Sequence, residues 1–267
     1  MSSVLISGIA GFIGKYVASL LRERGYHVSG IAQYRHSPDE GVYRCNLLGR
    51  ASLAGVLSEV KPDHVVHLAA IAFVAHGDAD AMYRTNVVGT RNQLEAVASA
   101  SHAPRSVLLA NSASIYGNTV IDPLVESVSA APADDYAVRK MAMEHVATLW
   151  SPLLPPMFVR PFNCSGFGQS LHFLLPKIVD HFRRGAKEIE LGNVVVACNF
   201  SNVHTMREAI EILERIAGYT IEVKVNPAFV RQGEVRYLRG SNEKLQKQIG
   251  PLKAIPLEET LRWMYEA

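Results

Sequence analysis

Gly8-Ile9-Ala10-Gly11-Phe12-Ile13-Gly14 sets three glycines at three-residue spacing, directly after the apolar run Val4 to Ile6 and at the head of a helical pattern. Each glycine answers a different steric demand. The first permits a tight turn, the second lets the backbone approach a pyrophosphate at the helix N-terminus, and the third allows the helix to lie close on its strand. The spacing therefore predicts a strand, a phosphate-sized turn and a helix, with a dinucleotide held at Gly8, Gly11, Phe12, Ile13 and Gly14. Ile13, Val17, Leu20 and Leu21 form the apolar face expected to pack that helix, and Gly25 stands where a left-handed cap would close it.

The same rhythm continues through the first two-thirds of the chain. His27 to Ile31 reads as a second strand, Ser52 to Val60 as a helix stopped by Pro62, and His64 to Leu68 as a strand apolar enough for burial on both faces. A long helix is expected over Asp80 to Ala100, a strand over Ser106 to Ala110, a helix over Asp135 to Leu149 and a strand over Met157 to Val159. Alternation of this kind builds a parallel sheet with helices on its faces. After Pro161 the pattern changes to helices over Phe173 to Arg184, Met206 to Ala217 and Leu257 to Tyr265, with one strand over Ile221 to Val225. The predicted fold is α/β: a doubly wound parallel Rossmann sheet over residues 1–160 and a smaller C-terminal α/β lobe over 161–267, with the substrate cleft between them.

Composition narrows the partners. At 267 residues with 48% hydrophobic side chains, the chain can bury a full core, which excludes a disordered tail or a disulfide miniprotein. Its 27 basic and 25 acidic residues are too evenly balanced for a dedicated nucleic-acid binder. Cys45, Cys164 and Cys198 lack disulfide or zinc spacing, and His172, His181 and His204 lack metal spacing, so no metal is expected. His67, Met141, Met143, Trp150 and Trp263 are read as packing residues. The longest apolar stretch, Val65 to Ala75, falls far short of the ~20 residues of a membrane span, and the amino terminus lacks a cationic leader. The reading is a cytoplasmic protein without a membrane partner.

The choice of cofactor rests on the end of the second strand. Gly30-Ile31-Ala32-Gln33-Tyr34-Arg35-His36 contains no carboxylate to hold a ribose diol, and Arg35 can reach a 2′-phosphate, so NADP(H) is favoured over NAD(H). Tyr136 and Lys140 are one helical turn apart on one face. An ammonium ~5 Å from a phenol, at an effective dielectric of ~20, favours phenolate by ~3 kcal/mol, or roughly two pKa units. That brings Tyr136 toward acid/base work, with Lys140 as its partner.

Together, Gly8/Gly11/Gly14, His67-Leu68-Ala69-Ala70, Asn86-Val87-Val88-Gly89-Thr90, the serine Ser112 four residues before Tyr116, and the Tyr136/Lys140 pair resemble the extended short-chain dehydrogenases/reductases over nearly the whole chain. The resemblance implies that Ser112 hydrogen-bonds the reacting oxygen, that Tyr136 is the proton donor or acceptor, and that Lys140 holds the nicotinamide ribose. It adds Asn46, Leu47, Leu68, Ala69, Ala70, Asn86 and Pro161 to the cofactor residues; Asn46-Leu47 stands where the family usually has Asp-Leu beside the adenine. The stretch Arg160-Pro161-Phe162-Asn163 to Gln169, with Arg231-Gln232-Gly233-Glu234 downstream, is similar to the nucleotide-sugar branch acting on GDP-mannose derivatives. That similarity implies substrate contacts from Ser114, Asn163, Gln169, Arg231 and Glu234. A guanidinium suits the diphosphate and a carboxylate the ribose diol.

The 4,6-dehydratases of that branch carry a glutamate where this chain has Ser114, and a serine without a base cannot remove a C5 proton. The resemblance therefore implies NADPH-dependent reduction of the C4 ketone of a nucleotide-linked 4-keto-6-deoxyhexose, with GDP-4-dehydro-6-deoxy-D-mannose going to GDP-D-rhamnose. Two other readings stand beside it: a nucleotide-sugar 4-epimerase with tightly bound NAD, and a non-enzymatic NADP-binding sensor. The chain departs from the branch at Cys198 to His204, where a charged RDFxDVRD stretch is expected, and about 30 residues, a helix and a strand, are absent by comparison between Val203 and His204. A homodimer packed through the helices at 80–100 and 135–149 is expected.

Overall fold

β1 (Ser3–Ser7), α1 (Phe12–Glu23) and β2 (His27–Ala32) open the chain as the glycine turn predicts. The computed structural model describes residues 1–34, 37, 41–72, 78–192, 197–200, 202–229 and 238–267. β3 (Val42–Arg44) is too short to show a period in the sequence and pairs parallel with β2. α2 (Arg50–Val60) ends at Lys61, whose left-handed backbone (φ 45°) turns the chain into Pro62 and β4 (His64–His67). The predicted long helix runs as α3 (Ala79–Tyr83), a π turn over Arg84–Val88, and α4 (Gly89–Ala98). β5 (Ser106–Ala110), a 3-10 turn at Ala113–Tyr116, α5 (Asp135–Thr148) and β6 (Pro156–Val159) complete this part of the chain.

The six strands form one parallel sheet in the order β3-β2-β1-β4-β5-β6. Strand order reverses between β1 and β4, and in such sheets ligands bind outside the carboxyl ends at that reversal. Leu5, Leu53, Val65, Leu94, Leu109 and Met143 are fully buried on one side, and Val4, Ile6, Val28 and Ala18 on the other. α1 does not pack on the face expected. Ile13 and Leu20 are exposed, while Gly14 and Ala18 are buried and Val17 and Leu21 pack beside them. The reason is steric: the two smallest side chains let the helix axis approach the strand, which a branched residue would hold off.

The described chain divides into two compact units, Met1–Ser112 with Val138–Arg160, and Ala113–Ala137 with Pro161–Ala267. Residues 113–137, which a linear division at 160 assigns to the first domain, hydrogen-bond into the second unit. Ala113 N–H donates to Pro161 O, and Leu124 N–H to Arg239 O. In the second unit, α6 (Leu174–Arg183), β7 (Glu188–Leu191), a hairpin of β8 (Ala197–Phe200) and β9 (Asn202–Thr205), α7 (Met206–Ala217) and β10 (Glu222–Val225) lead to α8 (Glu243–Ile249) and α9 (Leu257–Glu266). β7 and β10 pair in parallel, and their apolar side packs on α6, α7 and α9 through Ile178, Phe182, Ile189, Leu213 and Leu261. The chain runs from β9 straight into α7. Thr205 and Glu208 cap that helix reciprocally, and Gly218 (φ 78°) closes it.

Candidate functional site

The glycine turn is built around backbone contact. Gly8 has φ +82°, and a Cβ there would lie 2.8 Å from Ala69 N, so β1 and the Leu68-Ala69-Ala70 segment meet main chain to main chain. A Cβ on Gly14 would lie 2.2 Å from Gly8 O. Gly11 begins α1 with extended backbone and no side-chain cap, and no acidic residue occupies the first turn. The orphan N–H groups of that turn and the positive end of the helix dipole are thus left for an anion. This cradle fits a dinucleotide pyrophosphate, with Phe12 partly and Ile13 well exposed beside it.

Behind the turn lies a buried polar network. Thr90 Oγ1 donates to Asn86 O (2.7 Å), so it must accept from His67 Nε2–H (2.7 Å), and His67 Nδ1 then accepts from Ser7 Oγ (2.7 Å). Burial first, and the Lys140 charge second, hold His67 down to about 3, which keeps it neutral. It is a hydrogen-bonded packing histidine, as the sequence suggested. Asn86 is fully buried and clamps Ile71 from both ends of its amide, accepting from Ile71 N and donating to Ile71 O. Its direct work is therefore to hold the segment after Ala70. Leu47, expected beside the adenine, buries its side chain in the core and can offer a ligand only backbone; Asn46 is exposed, with Oδ1 accepting from Leu48 N–H.

α5 carries both Tyr136, in its first turn and partly exposed, and Lys140, which is buried. Lys140 Nζ donates to Ala110 O, the last carbonyl of β5, at 2.7 Å. Ser112, two residues on, is buried, and its N–H is held by Asn111 Oδ1 at 2.8 Å. Burial pushes Lys140 down to about 8 from 10.5. Below pH 8 the ammonium is charged in folded and unfolded chains alike, and the burial penalty is fully felt. Between 8 and 10.5 the unfolded chain holds the extra proton, so this penalty fades as pH rises, by about 3 kcal/mol in all. Lys140→Met should raise the urea midpoint at pH 7 by the equivalent of about 1–2 kcal/mol, part of the gain being offset by the carbonyl left without its donor. That advantage should shrink as pH climbs from 8 toward 10.5. A variant less stable than the parent at pH 7 would contradict this assignment of burial strain to Lys140.

The second unit contributes the remaining described candidates. Ser114 lies in the 3-10 turn and Pro161 is partly buried. Asn163 is exposed, and Gln169 Nε2 donates to Cys164 O while its Oε1 meets no donor among the described residues. Arg35, Arg231 and Glu234 lie outside the described residues. Sequence reasoning passed over Asn111 and Glu144, which hydrogen-bond one another beside Ser112 and Lys140. Only the four-residue step from Lys140 to Glu144 on α5 could have pointed to them. Among the described residues no cluster of three or more His, Cys, Asp or Glu could hold a metal ion.

Comparison with known proteins agrees with this architecture. The pattern of the NAD dependent epimerase/dehydratase family matches residues 4–210. The GDP-6-deoxy-D-talose 4-dehydrogenase of Aggregatibacter actinomycetemcomitans is 31% identical over 275 residues, covering 92% of this chain and 91% of that protein. Because 275 exceeds the share of this chain that is matched, that relative holds residues inside the matched stretch that this chain lacks. The GDP-6-deoxy-D-mannose reductase of Pseudomonas aeruginosa is 26% identical, covering 97% of this chain and 94% of that one. The solved structure of RMD from Pseudomonas aeruginosa complexed with NADPH superposes with a TM-score of 0.86 over 100% of this chain and 98% of that one; at 24% identity it supports the fold alone. The chain belongs to the NAD dependent epimerase/dehydratase family, among the extended short-chain dehydrogenases/reductases, and is an NAD(P)-dependent oxidoreductase.

Proposed function

We propose that this chain carries out C4 redox chemistry on a nucleotide-linked sugar, using NADPH to reduce the C4 ketone of GDP-4-dehydro-6-deoxy-D-mannose to GDP-D-rhamnose. The observation that carries the reading is α5, with Lys140 buried and tied to the end of β5 one turn beyond Tyr136, in a chain whose position 114 is serine and not a carboxylate. The two curated relatives are named for 6-deoxy-D-talose and 6-deoxy-D-mannose, sugars that differ only at C4 and therefore share one 4-ketone.

The cofactor would lie on the Gly8–Gly14 cradle, with Asn46, Ala69 and Ala70 beside it, and when bound it supplies the hydride that C4 receives. Tyr136 donates its proton to the alkoxide oxygen as that charge develops. Ser112 Oγ donates a hydrogen bond to the same oxygen, a stabilisation that counts most in a water-poor site. Lys140, held at Ala110 O, keeps a positive charge on the helix that carries the phenol. Ser114, Asn163, Gln169, Arg231 and Glu234 orient the nucleotide sugar. The protein acts in the cytoplasm as a homodimer joined through α3–α4 and α5. Among the described residues no helix is long and apolar enough to cross a membrane.

Purified protein given NADPH and the GDP-linked ketone should consume both in equal amounts, and absence of NADPH oxidation would sink the reductase reading. The product's ring protons distinguish the two relatives' sugars: a large H3–H4 coupling marks rhamnose, a small one 6-deoxy-talose. The 31% identity to the talose-named relative favours the latter as the second reading. An epimerase would instead copurify with NAD and show no net turnover. Arg35 supplies a separate check on cofactor choice. Arg35→Ala should weaken NADPH binding by about tenfold or more, as befits one charge-assisted phosphate contact, and leave NADH binding nearly unchanged. Equal loss for both cofactors in a fluorescence titration would remove the argument for NADP(H).

A further inference from the structure

We propose that Glu144 is a positioning residue for Ser112, acting through the side chain of Asn111; this rests on the reading of Ser112 as the hydroxyl that meets the reacting oxygen. Lys140 and Glu144 are one turn apart on α5 and meet consecutive residues at the end of β5, Ala110 within the strand and Asn111 just past it. Lys140 takes the Ala110 carbonyl, and Glu144 takes the Asn111 amide. An ionised carboxylate only accepts hydrogen bonds, so Asn111 must present its NH2 group to Glu144. Its Oδ1 is then committed to the other side, where it accepts from Ser112 N–H at 2.8 Å. Arg160, just past β6, holds the carboxylate from behind with Nε at 3.1 Å and a second bond from Nη2. Asn111 N–H donates to Val159 O at 2.8 Å, which fixes the main chain from which the amide projects.

The relay Arg160, Glu144, Asn111, Ser112 thus has one orientation, set by the acceptor in its middle. Glutamine at 144 has nearly the same shape but can offer a donor where the carboxylate only accepts. Asn111 can then turn its amide over to meet it, and its NH2 faces Ser112 N–H, donor against donor. A loosened Ser112 backbone misplaces its hydroxyl without disturbing the glycine cradle on the far side of β4.

The test uses the full-length enzyme with NADPH and the GDP-linked 4-keto-6-deoxyhexose. Glu144→Gln should lower kcat by about tenfold while the NADPH Kd and the sugar KM stay within about twofold, the pattern of a group felt mainly in the transition state. The paired change Asn111→Asp with Glu144→Gln restores an acceptor to Ser112 N–H and a donor–acceptor match between the two side chains, and should recover most of the lost kcat. In a Ser112→Ala background, Glu144→Gln should cost less than about twofold. If Glu144→Gln does not fold, Asn111→Ala, which leaves the Glu144–Arg160 pair intact, carries the same expectation. An unchanged kcat, or losses that add fully to that of Ser112→Ala, would overturn the relay. A Ser112→Ala enzyme with parental kcat would instead overturn the role assigned to Ser112 itself.

Discussion

Tyr136→Phe should bring NADPH-dependent reduction down by about a thousandfold or more, while NADPH binds within about twofold of the parent affinity. Phenylalanine keeps the ring and its packing in the first turn of α5 but has no proton to give. On the proposed mechanism, the alkoxide formed at C4 must then wait for water, and loss of a positioned general acid costs typically 10² to 10⁴ in rate. Ser112 would still donate a hydrogen bond to that oxygen, which is why some turnover survives. Cofactor affinity should be spared because the cradle proposed for the pyrophosphate is backbone at Gly8, Gly11 and Gly14, far from the phenol in sequence. Stopped-flow measurement of NADPH oxidation under single-turnover conditions isolates the chemical step from release. A rate within tenfold of the parent would mean that another group delivers the proton.

β1, β4 and β5 were legible in the sequence because each has a short continuous apolar run at its centre, which fits a strand buried on both faces. Gly8, Gly11 and Gly14 were legible because each substitutes for space, and space requirements at a turn are local. α1 shows the opposite case: its large apolar residues, Ile13 and Leu20, point outward while Gly14 and Ala18 face the strand. A hydrophobicity pattern weights a face by size, whereas close approach is won by smallness. β3 and the β8–β9 hairpin escaped because three or four residues show no period. Glu144 and Arg139 escaped for another reason. A charged residue on a helix reads as a solvated face, yet Glu144 is spent on Asn111 and Arg160, and Arg139 is almost fully buried with its guanidinium 5.4 Å from the centre of the Tyr83 ring. Which charges are buried depends on elements far apart in the chain, and one sequence does not tell them.

Three glycine-to-alanine substitutions should separate space from backbone freedom, with Gly14→Ala the most damaging by a wide margin. The added methyl would lie 2.2 Å from Gly8 O and 2.8 Å from both Ile9 Cα and Ile9 O. All three are main-chain atoms of the turn itself, so no side chain can rotate away, and α1 must move off β1 by the better part of an ångström or more. That motion breaks the packing of Ala18 and opens the pyrophosphate cradle at once, a coupled loss expected to exceed about 4 kcal/mol and to abolish NADPH binding. Gly25→Ala meets no atom within 4 Å and bears only the strain of φ +81°, about 1–2 kcal/mol, with cofactor affinity unchanged. Gly55→Ala, exposed in the middle of α2 with open space around it, should stabilise by about 0.5–1 kcal/mol, because alanine gives up less backbone entropy in a helix. Urea unfolding and NADPH titration of the three proteins side by side read the two effects independently. Were Gly14→Ala to bind NADPH like the parent, the turn could not be the close-packed junction that the fold makes it, and the dinucleotide would have to be held elsewhere.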